Sequence, residues 1–322
     1  MSPSLSEQIG VESVGHGEFI SQTLPMRMAN ARPVAYGGCS LSVAVSAACA
    51  TTKPSLDLYS IVGHFHGPAS PNEKLLCTVE NTRDTRSFST RRVRVHQKQP
   101  DGTSRTCLDV LVDFHTQEPS SLDYSASPVL AWPKPEDCPT GFDNLSTLHA
   151  RGTASDDELK EYDQILRQHE KFIETRICPN GVSGQNLSGV ASKVPTTQDH
   201  LPVTSKRSAE WSRSRSPLRT LNENLAAVAF LMDGTCSFVP LTHDHMWFQD
   251  VTACSSIDVA LRFFTKEVNF ENWHIVERNA IRAGGNRTFA ESRIWDDKGN
   301  LIAHMSQQSI MRLKKAVTQS NL

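Results

Sequence analysis

An unbroken apolar run, Leu225 to Met232 in "LAAVAFLMDG", constrains the fold of this chain more than any other segment. A helix over these residues is apolar on every side, so it has to be buried. The run ends at Asp233, which Gly234 follows. A carboxylate at that place faces the negative end of the helix dipole, which is unfavourable. The segment predicts a central helix, and Asp233 is either a solvated residue at an ordinary helix stop or a functional group.

Composition excludes several classes of protein. The chain has 322 residues, enough for one large domain or two ordinary ones. Its 33 basic and 35 acidic residues nearly cancel, which gives no cationic surface for nucleic acid. No apolar run reaches the roughly 20 residues of a membrane span. The eight cysteines are widely spaced and no signal peptide precedes them, which indicates reduced thiols in an intracellular protein.

The first block of regular pattern runs from about residue 19 to 117. Gly37-Gly38 opens a helix of small residues, "CSLSVAVSAACATT". Four runs with period-two alternation follow, "LYSIVGHF", "LLCTVENT", "STRRVRVH" and "LDVLVDFH", and Asp101-Gly102 predicts a hairpin turn between the last two. A helix followed by antiparallel strands is typical of an α+β fold.

The second block, from about residue 209 to 313, repeats this plan. The apolar helix comes first, and strand-like runs follow, "DHMWF", "SIDVALRFF", "WHIVERNAI", "RTFAESRIW" and "LIAHMSQQSIM". "SFSTRRV" in the first block also aligns with "TFAESRI" in the second. Matching element order and local similarity predict an internal duplication.

Between the blocks the sequence is polar and rich in proline and serine. Ser155 and Glu158 form a capping box before one surface helix, and "GVSGQNLSGVASKVPTTQDHLPVTS" is typical of a loop or disorder. We therefore predict an N-terminal unit over residues 1–130, a connector with one surface helix and a loop over residues 131–206, and a C-terminal unit over residues 207–322.

Several motifs resemble the acyl-CoA thioesterase II family, whose members are double hot-dog proteins. They are "RPVAYGGCSLSVAVSAA", "RDTRSFSTRRV", "EWSRSR", "LAAVAFLMD", "THDHMWF" and "GNLIAHMSQQSIMR". The resemblance implies an α+β double hot-dog fold, with two antiparallel sheets each wrapping a central helix. It also implies hydrolysis of an acyl-CoA thioester by a water molecule that an Asp, a Thr or Ser, and a Gln of the second unit hold.

Carried over by motif, these residues are Asp233, Thr242 and Gln307, and Thr242 matches only if one residue is deleted between His245 and Met246. The expected substrate contacts are Gly37, Gly38, Arg86, Ser87 and Phe88. No metal or redox cofactor is implied. Two departures bear on this assignment: the segment between Asp233 and Thr242 is shorter than in the family, and Cys39 stands where a Gln is usual.

The residue chemistry suits these roles. Burial and a helix C-terminus both raise the pKa of an Asp, which favours Asp233 as a general base. Gln307 lies on an apolar strand face, where a buried amide needs hydrogen-bond partners, either a water molecule or neighbouring backbone. Thr242 would hold the same water, although a threonine that begins a strand is commonplace.

Other interpretations stay open. The histidines of "HFHGP" and "THDHMWF" could form a metal site or the His/Asp pair of a hot-dog hydratase or dehydratase, and a protein that only binds acyl thioesters is a third class. Arginines of "TRDTRSFSTRRVRVH" suit either CoA phosphates or a solvated sheet face. Ser320-Asn321-Leu322 is a variant of the peroxisomal Ser-Lys-Leu signal, so a peroxisomal or cytoplasmic location is expected. Assembly into a homo-oligomer also stays open, although two units in one chain already supply the pairing that single hot-dog proteins achieve by dimerising.

Overall fold

A computed structural model describes residues 3–28 and 33–314, so the tripeptide Ser320-Asn321-Leu322 lies outside the described residues. The helices are α1 (Leu5–Ile9), α2 (Gly37–Ala50), α3 (Gly141–Ala150), α4 (Asp156–His169), α5 (Val182–Gln185), α6 (Leu221–Asp233) and α7 (Val239–His243). The strands are β1 (Val11–Gly15), β2 (Glu18–Ser21), β3 (Leu56–Phe65), β4 (Leu76–Asp84), β5 (Phe88–Lys98), β6 (Ser104–Thr116), β7 (Ile173–Ile177), β8 (Ser208–Ser214), β9 (Val251–Ser256), β10 (Asp258–Phe263), β11 (His274–Gly284), β12 (Arg287–Asp296) and β13 (Leu301–Leu313).

Two units share one topology. The strand order is β1-β2-β4-β5-β6-β3 in the first unit and β10-β13-β12-β11-β8-β7 in the second, which is the same order read from opposite ends. In each unit the sheet covers one long helix, α2 or α6. The duplicated helix-plus-sheet plan predicted from the sequence is therefore present in the fold.

The two sheets join through the antiparallel pairing of β3 with β10, in which Ile61 lies opposite Leu261. The fold is thus one continuous antiparallel sheet built from two hot-dog units. The joint satisfies the backbone hydrogen-bonding groups along one edge of each unit, which would otherwise be open to other chains.

The two central helices pack against each other with opposite direction. The ideal Cβ position of Gly38, at the start of α2, lies 2.6 Å from the backbone oxygen of Phe230, near the end of α6. α6 begins with a capping box between Thr220 and Glu223, and its residues from Asn224 to Asp233 are all buried. The apolar run therefore forms the buried helix that the sequence predicts, and its last residue meets the first turn of α2.

The strand predictions fail at one place. "DHMWF" is not a strand: the segment leaves α7 through a turn, with His245 at a φ of +55°, and continues into a 3-10 helix over Phe248–Asp250. The strand that pairs with β13 in this region is β9, which begins after the 3-10 helix. The aromatic side chains that suggested a strand pack instead into a second core, as Trp247 and Phe248 are buried there.

The connector is more ordered than the sequence suggests. α4 begins at the predicted capping box of Ser155 and Glu158, but α3 precedes it and β7 follows it. β7 pairs with β8 along its whole length, so it belongs to the sheet of the second unit. The segment interpreted as loop or disorder is also packed: Leu187 and Val190 are fully buried against Leu241 and its neighbours. The disorder alternative is wrong because small and polar residues of the segment hydrogen-bond its backbone, as when the Asn186 side chain accepts from the Gly189 N–H. Apart from α5 and two 3-10 turns, the segment is a loop, as the other alternative predicts.

The eight cysteines are all buried free thiols. Within residues 3–28 and 33–314, no helix combines the length and apolar character needed to cross a bilayer.

Candidate active site

Asp233 ends α6 inside the protein, only 6 % exposed. One carboxylate oxygen accepts a hydrogen bond of 2.6 Å from the side-chain nitrogen of Gln307, and the carboxylate also accepts one from the backbone N–H of Gly38. Burial raises the pKa of Asp233 to about 6, while the two hydrogen bonds act in the opposite direction. The carboxylate therefore exchanges its proton near neutral pH, as a general base requires.

The first turn of α2 provides a positive electrostatic environment for Asp233, which the C-terminus of α6 does not. Asp233 sits at the negative end of its own helix but at the positive end of α2, whose Gly38 N–H points to it. A Cβ atom at Gly37 would lie 2.7 Å from the second carboxylate oxygen of Asp233. A side chain at this position would therefore displace either the carboxylate of Asp233 or the first turn of α2.

Gln307 lies on the buried face of β13 and is 1 % exposed. Because its NH2 group donates to Asp233, its side-chain oxygen points away from the carboxylate and accepts a hydrogen bond of 3.2 Å from the hydroxyl of Ser237. The amide is thus held at both ends. The structure brings Asp233 and Gln307 into direct contact, and it is Asp233 that faces the adjoining cavity.

Three serines extend this network, and the sequence analysis missed them. The Ser237 hydroxyl lies 2.9 Å from the hydroxyls of Ser256 and Ser309. Because Ser237 donates its single proton to Gln307, it accepts from the other two. Ser309 shares the buried strand face of Gln307, which was a usable signal, whereas Ser256 ends β9, the strand that was not predicted.

Thr242 does not join the network. It lies in α7 rather than at the start of a strand, and its hydroxyl donates a hydrogen bond of 2.8 Å to the backbone oxygen of Ser188. Its own carbonyl accepts from the side chain of Asn186. Thr242 lines the cavity, but its polar groups hold the connector against the second unit.

A cavity of about 350 Å³ opens beside Asp233. Gly37 lines it beside the carboxylate, Ser256 also lines it, and apolar side chains of the connector and the second unit line much of the rest. These include Ile165, Leu166, Phe238, Trp247 and Phe248. The exposed His66, Pro68 and Thr235 lie where the cavity reaches solvent. An apolar space that ends at a buried carboxylate suits an acyl chain whose carbonyl group lies beside that carboxylate.

The five residues expected to contact the substrate lie in two separate places. Gly37 and Gly38 lie at Asp233, as described above. Arg86, Ser87 and Phe88 lie at the turn between β4 and β5 and do not line this cavity. The ring of Phe88 stacks on His115 at 4.2 Å.

Two arginines of the segment "TRDTRSFSTRRVRVH" make structural contacts. Arg91 is buried and hydrogen-bonds Asp84 and the backbone of Thr51. Arg92 forms an ion pair with Asp109 on the outer face of the sheet.

The histidines of "THDHMWF" point to different partners. His243 is buried and its ring lies 2.9 Å from the hydroxyl of Ser208, and burial lowers its pKa to about 3. His245 pairs with Asp199 of the connector at 2.7 Å. Both rings therefore tie the connector and β8 to α7, and neither lines the cavity beside Asp233.

Comparison with known proteins gives the family. A family model described as acyl-CoA thioesterase N-terminal domain matches residues 24–115, and one described as acyl-CoA thioesterase C-terminal domain matches residues 173–311. The chain thus belongs to the acyl-CoA thioesterase family, a class of hydrolases that act on acyl-CoA thioesters, and it carries both domains of that family.

Individual relatives agree with this assignment. The chain is 24 % identical over 291 residues to acyl-coenzyme A thioesterase 8 of Mus musculus, a match that covers 89 % of this chain and 83 % of the relative. It is 22 % identical over 290 residues to acyl-CoA thioesterase 2 of Haemophilus influenzae, covering 87 % and 88 %.

Solved structures share the fold. An acyl-CoA thioesterase II from Mycobacterium marinum superposes with a TM-score of 0.69 at 18 % identity, covering 97 % of this chain and 98 % of that chain. A hot-dog protein of unknown function from Alicyclobacillus acidocaldarius gives a TM-score of 0.67 at 14 % identity, covering 96 % and 98 %. The double hot-dog architecture is therefore confirmed.

Proposed function

We propose that this chain hydrolyses an acyl-CoA thioester to the free acid and CoA with Asp233 as the general base. One observation carries the proposal: a buried carboxylate with a pKa of about 6 faces an apolar cavity and is held in place by Gln307. A thioester carbonyl is electrophilic enough for attack by water, so the protein has to deprotonate that water and aim it. No covalent nucleophile is required.

The attacking water is held between Asp233 and the hydroxyl of Ser256. Both residues line the cavity, and Ser256 keeps lone pairs free because its proton is donated to Ser237. A water that donates one proton to each oxygen turns its own lone pair toward the carbonyl carbon. In this scheme Ser256 takes the role that the family resemblance gave to Thr242, and Gln307 positions the base.

The N-terminus of α2 polarises the carbonyl. Gly37 lines the cavity in the first helical position, where the N–H has no partner within the helix. This N–H and the positive end of the helix dipole stabilise the negative charge that develops on the thioester oxygen. The Gly38 N–H is already used by Asp233. Attack forms the carbon–oxygen bond and moves a proton from water to Asp233. When the bond between carbonyl carbon and sulfur breaks, this proton passes to the sulfur, and CoA leaves as the thiol.

The test is a thiol-release assay over a panel of acyl-CoA thioesters with the wild type and Asp233→Asn. We expect turnover by the wild type and a loss of at least about a hundredfold in kcat in the variant, with binding of a non-hydrolysable thioether analogue retained. Addition of water to an enoyl-CoA without thiol release would identify a hydratase instead. Tight binding by a wild type that releases no thiol would identify a binding protein.

We further propose a role in fatty acid and lipid metabolism, because the apolar cavity suits acyl chains. Ser320-Asn321-Leu322 supports a peroxisomal location if it forms the C-terminus of the mature protein. Imaging of a fusion that keeps this tripeptide, compared with one that lacks it, tests the location. Sedimentation or light scattering determines whether the chain assembles further, since its two units already pair within one molecule.

A further inference from the structure

The segment before α3 runs antiparallel to β7, at the place where the connector joins the sheet of the second unit. Thr140 forms an antiparallel bridge with Arg176 of β7. Two residues further along, the same register sets Cys138 directly opposite Cys178, which follows β7. Both cysteines are buried in one cluster, with exposed fractions of 3 % and 0 %.

The type of pairing brings the two thiols together. The N–H of Ile177 donates to the carbonyl of Pro139, so the hydrogen-bonded pair lies between the bridge and the cysteines. The cysteines therefore form a non-hydrogen-bonded pair, in which opposite Cα atoms are typically about 4.5 Å apart and the side chains are closest. That separation falls within the range of about 4.4–6.8 Å that disulfides adopt. The thiol of Cys178 also hydrogen-bonds that of Cys138.

Cys138 is the thiol that reacts first. It lies just beneath the surface, because it follows the exposed residues Glu136 and Asp137. The hydrogen bond from Cys178 lowers the pKa of Cys138, and the same bond raises the pKa of Cys178. Cys138 thus has the larger thiolate fraction at neutral pH, and the thiolate is the form that attacks an oxidant.

A bond between these two residues would close a loop that carries part of the cavity wall. The loop spans residues 139–177 and includes α3, α4 and β7. Tyr162, Ile165 and Leu166 of α4 line the cavity beside Asp233. A cross-link at the ends of this loop restricts the unfolded chain and so stabilises the folded wall.

We propose that Cys138 and Cys178 form a reversible disulfide when hydrogen peroxide oxidises the protein, and that this bond ties the connector to the end of β7. The Cys138 thiolate attacks one peroxide oxygen, and the O–O bond breaks to give a sulfenic acid and hydroxide. The Cys178 thiol then attacks the oxidised sulfur and displaces its oxygen as water. In total, two thiols are oxidised by two electrons, and the peroxide is reduced to two water molecules.

The experiment treats the reduced full-length chain with hydrogen peroxide, blocks the remaining thiols with iodoacetamide in denaturant, and maps disulfides by mass spectrometry of a non-reducing digest. We expect a linked peptide pair that contains Cys138 and Cys178 and that dithiothreitol separates. The melting temperature should be about 5 °C higher for the oxidised than for the reduced protein. The mapping uses the wild type, so it does not depend on whether any variant folds.

Cys138→Ala and Cys178→Ala should each abolish the linked peptide and the rise in melting temperature. The control is Cys49→Ala, which removes another buried thiol and should keep both. Alkylation of Cys138 and Cys178 after peroxide treatment overturns the proposal, as does a sulfinic acid on Cys138 without a cross-link. A linked pair that leaves the melting temperature unchanged overturns the tie. None of these measurements uses turnover, so failure of the proposed hydrolysis would leave them unaffected.

Discussion

The side-chain nitrogen of Gln307 lies 2.6 Å from a carboxylate oxygen of Asp233, although 74 residues separate them along the chain. The contact fixes the orientation of the amide, because the end that donates to Asp233 cannot also accept from Ser237. It also gives the carboxylate a fixed direction, with one oxygen held by strand β13 and the other beside α2. The following predictions depend on this geometry.

The pH dependence of hydrolysis should follow the ionisation of Asp233. Burial raises its pKa to about 6, and only the ionised form accepts a proton from water. We expect kcat/KM to fall about tenfold for each pH unit below 6 and to be constant above it, until another group titrates. Steady-state rates from pH 4.5 to 8 measure this profile. A flat profile over that range would contradict the assignment of Asp233.

Asp233→Asn should stabilise the fold at neutral pH while it abolishes turnover. The folded-state pKa of about 6 lies above the ordinary value of 3.8, so the protonated carboxyl favours the native state. This stability is present below about pH 4, is lost as the pH rises through 6, and amounts to up to about 3 kcal/mol. Asn cannot ionise, so denaturation at pH 7.5 should show the variant about 1–3 kcal/mol more stable, with the gain absent near pH 4.

Replacement of another acidic residue, Asp84, should change the stability of the fold in the opposite direction. Hydrogen bonds from Ser89 and Arg91 lower the pKa of Asp84, so its stabilising effect is present above the ordinary pKa and lost as the pH falls. Asp84→Asn should therefore destabilise the fold at pH 7.5. If both variants change stability in the same direction, burial is not what sets the pKa of Asp233.

Gln307→Ala should lower kcat and shift the pH profile. Without the amide hydrogen bond, the pKa of Asp233 rises further, so the acidic limb of kcat/KM moves to higher pH. We expect the plateau to fall by about tenfold or more. Gln308→Ala is the control, because that side chain lies on the opposite face of the same strand. A reduced plateau without a shifted limb would mean that Gln307 acts on the water and not through Asp233.

Replacing Ser256 should lower the rate of hydrolysis, whereas replacing Thr242 should lower the stability of the fold. Ser256→Ala removes a hydroxyl that lines the cavity beside the Gln307 network, and we expect kcat to fall about tenfold. Thr242→Val keeps the shape but loses the hydrogen bond to Ser188, so the free energy of unfolding should fall by about 1 kcal/mol while kcat stays near the wild-type value. Steady-state kinetics and denaturation of both variants show which residue holds the attacking water. A loss of kcat in Thr242→Val, with kcat unchanged in Ser256→Ala, would favour Thr242.

Gly37→Ala should impair hydrolysis far more than Gly67→Ala. A Cβ atom at Gly37 would meet the carboxylate of Asp233 at 2.7 Å, whereas one at Gly67 has nothing within 4 Å. Both glycines line the cavity, so the pair separates a specific clash from a general change in the cavity wall. Thiol release and analogue binding measured on both variants provide the comparison. Equal effects would argue against close packing of α2 on the base.

The sequence predicted the parts of the site that local patterns encode. The apolar run identified α6 and its terminal Asp233, and period-two alternation placed Gln307 on the buried face of β13. It failed between Asp233 and β10, where aromatic residues suggested a strand but fill a core beneath a turn. Ser256 opened the predicted run "SIDVALRFF" but ends β9 instead, a strand that was not recognised, and the motif gave the water-holding role to Thr242.

Contacts between distant segments were not predictable from one sequence. The pairing of Asp233 with the first turn of α2 depends on how two units pack, and no local pattern in either segment encodes it. The same holds for the ion pair of Arg278 and Glu210, which become neighbours only through the pairing of β11 with β8. In the sequence, each of the two looks like any charged residue on a strand, and nothing nearby indicates its partner.

The closeness of Gly37 to Asp233 means that neither half of this chain is free to change alone. The second half provides the proposed general base, Asp233, and the first half provides the glycine that lies against its carboxylate. A methyl group added at Gly37 in the first half would meet the carboxylate of Asp233 in the second half at 2.7 Å. The two units therefore differ in what they contribute: the second carries Asp233, and the first carries the glycine that leaves room for its carboxylate.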